Sequence, residues 1–229
     1  FHAHPGVRIN STWLEFWRVR FRSYSTLSAI SESPLVQGLL YTGSDDGLIH
    51  VSEDGGGSWR AAPDLPGVPA RYFVNDVEAS QHDPDGVFVA ADARKVGDYS
   101  PYLFASDDRG ASWRSISGDL PDGVIVWAVQ QDHANPELLF VAAENGLYTS
   151  LDGGDHWHRL SGAPTISFRD LKLHRRDDDL VGASFGRGFW VLDDYSPLRT
   201  LADTDDAAVL FPVRDAWWYV PNDPFQAAG

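Results

Sequence analysis

The stretch Ser52-Glu53-Asp54-Gly55-Gly56-Gly57-Ser58-Trp59 recurs twice downstream. Its copies are Ser106-Asp107-Asp108-Arg109-Gly110-Ala111-Ser112-Trp113 and Ser150-Leu151-Asp152-Gly153-Gly154-Asp155-His156-Trp157. All three obey Ser-x-Asp-x-Gly-x-x-Trp, and their aspartates lie 54 and then 44 residues apart. Working outward, each copy follows an apolar run: Leu39-Leu40-Tyr41, Val87-Phe88-Val89-Ala90 or Leu138-Leu139-Phe140-Val141. Two of the runs end in turns suited to positive φ, Asp45-Asp46-Gly47 and Glu144-Asn145-Gly146, which lead into Leu48-Ile49-His50-Val51 and Leu147-Tyr148-Thr149. Pro-marked turns stand upstream at Ser33-Pro34, Asp83-Pro84 and Asn135-Pro136. A fourth copy is eroded. Leu180-Val181-Gly182-Ala183, Arg187-Gly188 and Phe189-Trp190-Val191-Leu192 keep the strands and turn, and Asp194 keeps the acid, but the serine and tryptophan are gone.

Each unit therefore reads as four short strands, A to D, with the repeated motif as the C–D hairpin and the tryptophan opening strand D. Four strands per 40–50 residues is the signature of propeller blades. The expected fold is all-β: a β-propeller of four-stranded antiparallel blades at residues 23–70, 71–120, 121–164 and 165–200, forming an arc of an incomplete ring. Residues 201–229 read as a connection or the start of a further blade. Residues 1–22, with Arg8, Arg18, Arg20 and Arg22 against Glu15, fit no repeat.

The motif reads as a folding device. Ser52, Asp54, Ser106, Asp108, Ser150 and Asp152 supply side-chain oxygens for turn N–H groups that otherwise lack partners. Gly56, Gly110 and Gly154 supply the backbone freedom. Trp59, Trp113 and Trp157 are expected to pack against a sheet, each removing about 150–250 Å² from water, so that truncation costs about 3–5 kcal/mol. A calcium loop would need further oxygen ligands and a closing glutamate, where this chain has Ser, Gly and Trp. His156 and His158 share a strand face without a third ligand for zinc. No metal and no cofactor is expected.

These boxes resemble the Asp-box, or BNR, repeat of sialidases, of family 74 glycoside hydrolases such as xyloglucanases, and of sortilin-type receptors. The likeness covers about residues 25–200. The run Gly186-Arg187-Gly188-Phe189-Trp190-Val191-Leu192-Asp193-Asp194 looks like bacterial sortilin-like or glycosyl-hydrolase-like BNR proteins. The resemblance implies a seven- or ten-bladed parent ring, an extracellular or periplasmic location, and a ligand site on the face away from the boxes. The arginine triad and Tyr/Glu pair of sialidases do not align here, nor do the two catalytic aspartates of family 74.

Composition narrows the partners. The chain has 229 residues, 43% of them hydrophobic and 22% charged, enough for a substantial core. Cysteine is absent, which removes disulfides and thiolate chemistry. The net charge of −15 repels phosphate backbones, so nucleic acid is not an expected partner. No apolar run approaches the roughly 18 residues of a membrane-spanning helix, and no membrane insertion is expected. Methionine is absent even at position 1, so the chain reads as part of a longer protein, with the rest of the parent propeller as one partner.

If the boxes mark one rim, the B–C and D–A loops mark the other. That rim carries Asp45, Asp46, Asp92, Lys95, Asp98, Tyr99, Glu144, Asn145 and Arg187, with Asp64, Arg71, Tyr72, Asp119, Asp122 and Arg169 from the D–A side. Mixed carboxylates, basic groups and aromatics suit a glycan or protein ligand. Acidic loops that merely solvate a rim are the plainer reading. A hydrolase would need two convergent carboxylates. Asp46, Asp92 and Glu144, on corresponding loops, are the catalytic candidates. Trp127, on an inner strand, reads as core rather than platform.

Overall fold

The computed structural model describes residues 26–201 and 209–211, so the readings for residues 1–22, 202–208 and 212–229 lie outside the described residues. Four antiparallel sheets follow one another along the chain. The first holds β1 (Leu27–Glu32), β2 (Leu40–Ser44), β3 (Ile49–Ser52) and β4 (Arg60–Ala61). The second holds β5 (Phe73–Ala79), β6 (Val87–Ala93), β7 (Asp98–Ser106) and β8 (Arg114–Ser115). The third holds β9 (Val126–Gln131), β10 (Leu139–Ala143), β11 (Gly146–Ser150) and β12 (His158–Arg159). The fourth has three strands, β13 (Phe168–His174), β14 (Asp179–Ser184) and β15 (Phe189–Leu192), followed by the short helix α1 (Leu198–Leu201). The sheets do not close into a ring.

Burial follows position in the stack. Three apolar cores lie between successive sheets, built around Tyr41, Val74 and Val89, then Leu103, Leu139 and Val141, then Phe140, Phe168 and Leu180. β10 and β11 of the third sheet are buried at every residue, because both faces are covered. β15 of the fourth sheet alternates between exposed and half-buried. Sheets approach closely where a side chain would intrude: a Cβ at Gly43 would come within 2.2 Å of Val74 Cγ1 across the first interface. Curvature brings sheets two apart into contact, since Arg175 Nη2 donates to Gln81 Oε1 at 2.5 Å.

Two strand readings change. The tryptophan does not lie in strand D; the D strands are two residues long and begin just after it. Asp92, Asp98 and Tyr99, expected on a B–C loop, lie in strands. β6 and β7 pair as far as Ala93↔Asp98, leaving a 3₁₀ turn at Arg94–Val96 closed by Gly97 at φ 85°.

The three boxes form the same turn. Ser52, Ser106 and Ser150 each donate Oγ–H to the box aspartate (2.9, 2.7 and 2.8 Å) and accept the N–H of Gly56, Gly110 and Gly154 (2.8, 2.7 and 2.8 Å). The aspartate then accepts the N–H of Ser58, Ser112 or His156 at 2.8–2.9 Å. A second bond comes from the Ser58 or Ser112 hydroxyl, or joins His156 Nδ1, at 2.6 Å. Hydroxyl bonds from Ser58 and Ser112 foremost hold Asp54 and Asp108 down to about 2. At Asp152, desolvation opposes the shift, but bonds from His156 and Ser150 outweigh it and bring the value to about 2. The fourth unit makes no such turn: Asp194 sits at φ 52° and its N–H donates to Asp179 Oδ1.

The tryptophans are not equivalent, which corrects the expectation that all three pack. Trp157 is 6% exposed and donates Nε1–H to Ile116 O of the second sheet's terminal segment at 3.0 Å. Trp113 is half-buried against the first core and donates to Pro63 O at 3.1 Å. Trp59 is 43% exposed and bonds only within its own turn, to Gly56 O. Trp113 and Trp157 pack on the preceding sheet, and among the described residues no sheet precedes the first.

Candidate functional site

The chain arrives at the rim opposite the boxes in the same way four times. In each sheet the inner strand carries a β-bulge near its start, which leaves Ser28, Asn75, Trp127 and Arg169 outside the pairing ladder. A bulge re-aims the unpaired side chain. Ser28 Oγ donates to Val74 O at 2.6 Å, and Asn75 Nδ2 to Val126 O at 2.9 Å, each on the next inner strand. Trp127 and Arg169 break this pattern, because the guanidinium of Arg169 lies 3.6 Å over the Trp127 ring.

The registers also correct which loop acids correspond. Ser44, Ala91, Ala143 and Ser184 occupy matching ladder positions, so the next residues, Asp45, Asp92, Glu144 and Phe185, are equivalent. The counterpart of Asp92 and Glu144 is therefore Asp45, not Asp46. Asp45 Oδ1 accepts the N–H of Thr26 at 2.8 Å, and Asp46 Oδ1 accepts the Ser44 hydroxyl at 2.5 Å.

Two sites form on this rim. Between the first and second sheets, a cleft of about 470 Å³ is lined by Asp45, Asp46, Ala70, Arg71, Tyr72, Phe73, Lys95 and Val96. Lys95 Nζ sits 3.7 Å over the Phe73 ring. Between the second, third and fourth sheets, Arg94 and Arg169 both stack on Trp127, at 4.5 and 3.6 Å. Trp127 is 7% exposed and donates Nε1–H to Glu144 Oε2 at 2.8 Å; Ser167 Oγ donates to the same oxygen at 3.1 Å. Asp92 is fully buried. Its Oδ1 accepts Arg94 N–H at 3.1 Å, and its Oδ2 has no hydrogen-bond partner. Burial pushes the Arg169 guanidinium pKa down, Arg94 adds to this, and Glu144 and Asp92 oppose it.

Of the three catalytic candidates, Asp92 lies 3.6 Å from Arg94 and Glu144 3.5 Å from Arg169, the two cations over Trp127, while Asp46 lies in the other cleft. The remaining rim residues are placed as follows. Asp98 accepts Ser100 N–H and the Tyr102 hydroxyl, and these bonds lower its pKa, that from Ser100 most. Tyr99 is 54% exposed, Asn145 Oδ1 accepts the Tyr148 hydroxyl at 3.0 Å, and Arg187 is exposed.

Sequence reasoning missed Asp76 and Glu78. They lie two residues apart on β5, where the charges of Lys172 and Asp170 on the fourth sheet act on Asp76. Both are only partly solvent-accessible, and loss of water dominates their titration. It raises Asp76 to about 6, against bonds from Val129 N–H and Val77 N–H. It raises Glu78 to about 7, with the Asp76 charge adding and Lys172 opposing. The alternation Val74-Asn75-Asp76-Val77-Glu78-Ala79 carried the signal: polar residues on one face of an inner strand. Outside these sites, His174, Asp177 and Asp179 gather within 4.8 Å. Their groups are already engaged: His174 Nδ1 pairs with Asp177 at 3.1 Å, Arg176 with Asp177 at 2.8 Å, and Asp179 with Asp194 N–H.

No family model matches the chain. A xyloglucanase from Paenibacillus sp. is 25% identical over 227 residues, covering 82% of this chain and 21% of that protein. The vacuolar protein sorting/targeting protein 10 of Verticillium alfalfae is 30% identical over 82 residues, covering 34% of this chain and 6% of that protein. Among solved structures, the GH74 xyloglucanase of Xanthomonas campestris superposes with a TM-score of 0.57 at 17% identity, over 73% of this chain and 29% of that one. The chain spans about a fifth of the xyloglucanase relative and a smaller share of the sorting protein. With the four successive antiparallel sheets, these likenesses show a BNR-type β-propeller fold, similar to glycoside hydrolase and sortilin-like propellers.

Proposed function

We propose that this segment is a propeller scaffold that binds glycan through the rim opposite the boxes, as part of a larger exported protein. One observation carries the reading. The rim away from the repeated turns gathers carboxylates, cations and aromatics into a cleft between the first two sheets, lined by Asp46, Arg71, Tyr72 and Lys95. Concave sites with a few convergent polar groups are where ligands bind, and alternating hydroxyls and ring faces match this lining. The likeness to a xyloglucanase supports glycan over protein as the ligand class. The test is titration calorimetry of the chain against a glycan panel, with Asp46→Asn and Arg71→Ala as variants. Glycan binding weakened at least tenfold by either variant is expected. Binding of proteins but no glycan would overturn the reading.

A second reading, a fragment of a glycoside hydrolase, is favoured by Glu78. Its raised pKa of about 7 suits a general acid, with Asp76 two residues away on the same strand face, about 7 Å along the chain. It requires new reducing ends from xyloglucan that vanish in Glu78→Gln. No release by the wild-type chain discards it for this segment.

A further inference from the structure

The two guanidiniums on Trp127 stand apart from the other arginines with buried or bridging roles. Arg199 meets Asp132 at 2.8 and 2.9 Å and Asp178 at 2.6 and 3.0 Å. Arg109 meets Asp85 at 2.6 Å and Glu53 at 2.8 Å. Both are saturated with short charge-assisted bonds. Arg94 and Arg169 approach carboxylates only at 3.6 Å (Asp92) and 3.5 Å (Glu144), beyond hydrogen-bond length for such pairs. Arg169 Nε is buried with no partner. Both guanidinium carbons instead lie over the Trp127 ring, at 4.5 and 3.6 Å from its centre, and their side chains remain 37% and 34% exposed. Phe185 completes the cluster. It is 73% exposed, and its ring lies 5.1 Å from the Arg169 guanidinium carbon.

We propose that Arg94 and Arg169 clamp the carboxylate of a uronic-acid-bearing glycan, with Phe185 as the platform for its sugar ring. This rests on the reading of this rim as a glycan-binding surface, and it names the ligand class. Three chemistries meet here that an acidic sugar matches together. Guanidinium forks take a planar carboxylate, often bidentately. Glu144, 43% exposed and held by Trp127 and Ser167, accepts from ring hydroxyls. An exposed aromatic takes the apolar face of the sugar. An acidic peptide would also satisfy the guanidiniums and Glu144, and what favours the sugar acid over it is the exposed Phe185 ring face.

The test is calorimetry of the full 229-residue chain against oligogalacturonate, a neutral xyloglucan oligosaccharide and an acidic peptide, at low and moderate salt. Oligogalacturonate is expected to bind, to weaken with salt, and to lose at least tenfold in Arg169→Ala and in Arg94→Ala. Arg169→Lys should not restore it, since an ammonium cannot reproduce the stacked fork. Phe185→Ala should weaken both acidic and neutral sugars bound at this cluster. Arg94 lies on a surface turn and Phe185 is exposed, so these two variants report even if Arg169→Ala fails to fold. Neutral glycan binding without oligogalacturonate binding overturns this inference and leaves the rim reading standing. Arg169-dependent binding of the peptide but not the sugar acid overturns the ligand class. No glycan binding of either kind removes both readings.

Discussion

The first and third boxes have the same hydrogen bonds and unlike surroundings. Ser52 and Asp54 close their turn with nearly the same distances as Ser150 and Asp152, yet Trp59 is 43% exposed and Trp157 6%. The turn is thus specified within eight residues, whereas the indole's burial is supplied by the sheet before it. Local sequence builds the hairpin; the neighbour makes the core. That is the behaviour of repeat proteins, whose stability adds unit by unit and interface by interface.

This comparison can be broken or sharpened in order of effect. Trp157→Ala should cost about 3–5 kcal/mol, read from urea midpoints, because it empties a filled interface. Trp113→Ala should cost less, and Trp59→Ala only about 1–2 kcal/mol, the share of indole area it buries. Equal losses for Trp59 and Trp157 would refute the role given to the preceding sheet. Gly154→Ala should also destabilise more than Gly56→Ala. Both glycines have φ near +100°, but a Cβ at Gly154 meets Ile116 Cβ at 2.8 Å, and one at Gly56 meets nothing nearer than 3.6 Å. By contrast, Asp54→Ala and Asp152→Ala should lower the melting temperature by similar amounts, since each removes one serine bond, one backbone N–H bond and one further side-chain bond, with Ser58 or with His156.

A smaller effect is expected with pH. Asp54, Asp108, Asp152 and the Arg199-paired Asp132 are held at about 2, so the stability they contribute is present above their ordinary 3.8 and lost as pH falls towards 2. Asp76 and Glu78 act the other way. Their protonated forms suit the fold, and the benefit fades as pH rises from 3.8 through about 6 and from 4.5 through about 7. The melting temperature should therefore peak near pH 4–5. Glu78→Gln should flatten the fall between pH 5 and 8 and leave the acid limb unchanged; an unaltered neutral limb would contradict the assignment.

The sheets were legible because their signals are local. Asp45-Asp46-Gly47 and the Ser-x-Asp-x-Gly boxes name their turns, and runs such as Leu139–Ala143 name buried strands. The rim was only partly legible. Asp92, Lys95 and Glu144 could be placed on it, but the grouping of Asp92 and Glu144 around the two cations over Trp127 depends on sheet-to-sheet approach that spacing does not encode. Asp45 and Asp46 are adjacent, and only the pairing register decides which corresponds to Glu144. The exposure of Trp59 was hidden for the same reason, since no residue of its own box records what lies beside it.

The bulge at the head of every inner strand has a wider consequence. Ser28, Asn75, Trp127 and Arg169 each stand outside the two-residue alternation that ties the other positions to a face. One residue per unit thereby leaves the alternation and reaches across to the neighbouring sheet instead: Ser28 and Asn75 bond the next inner strand, and Arg169 lies over Trp127. Here the four are an alcohol, an amide, an indole and a guanidinium on the same bulge. The row of bulges thus joins each sheet to its neighbour at the rim, so that a substitution at one position is felt at the next.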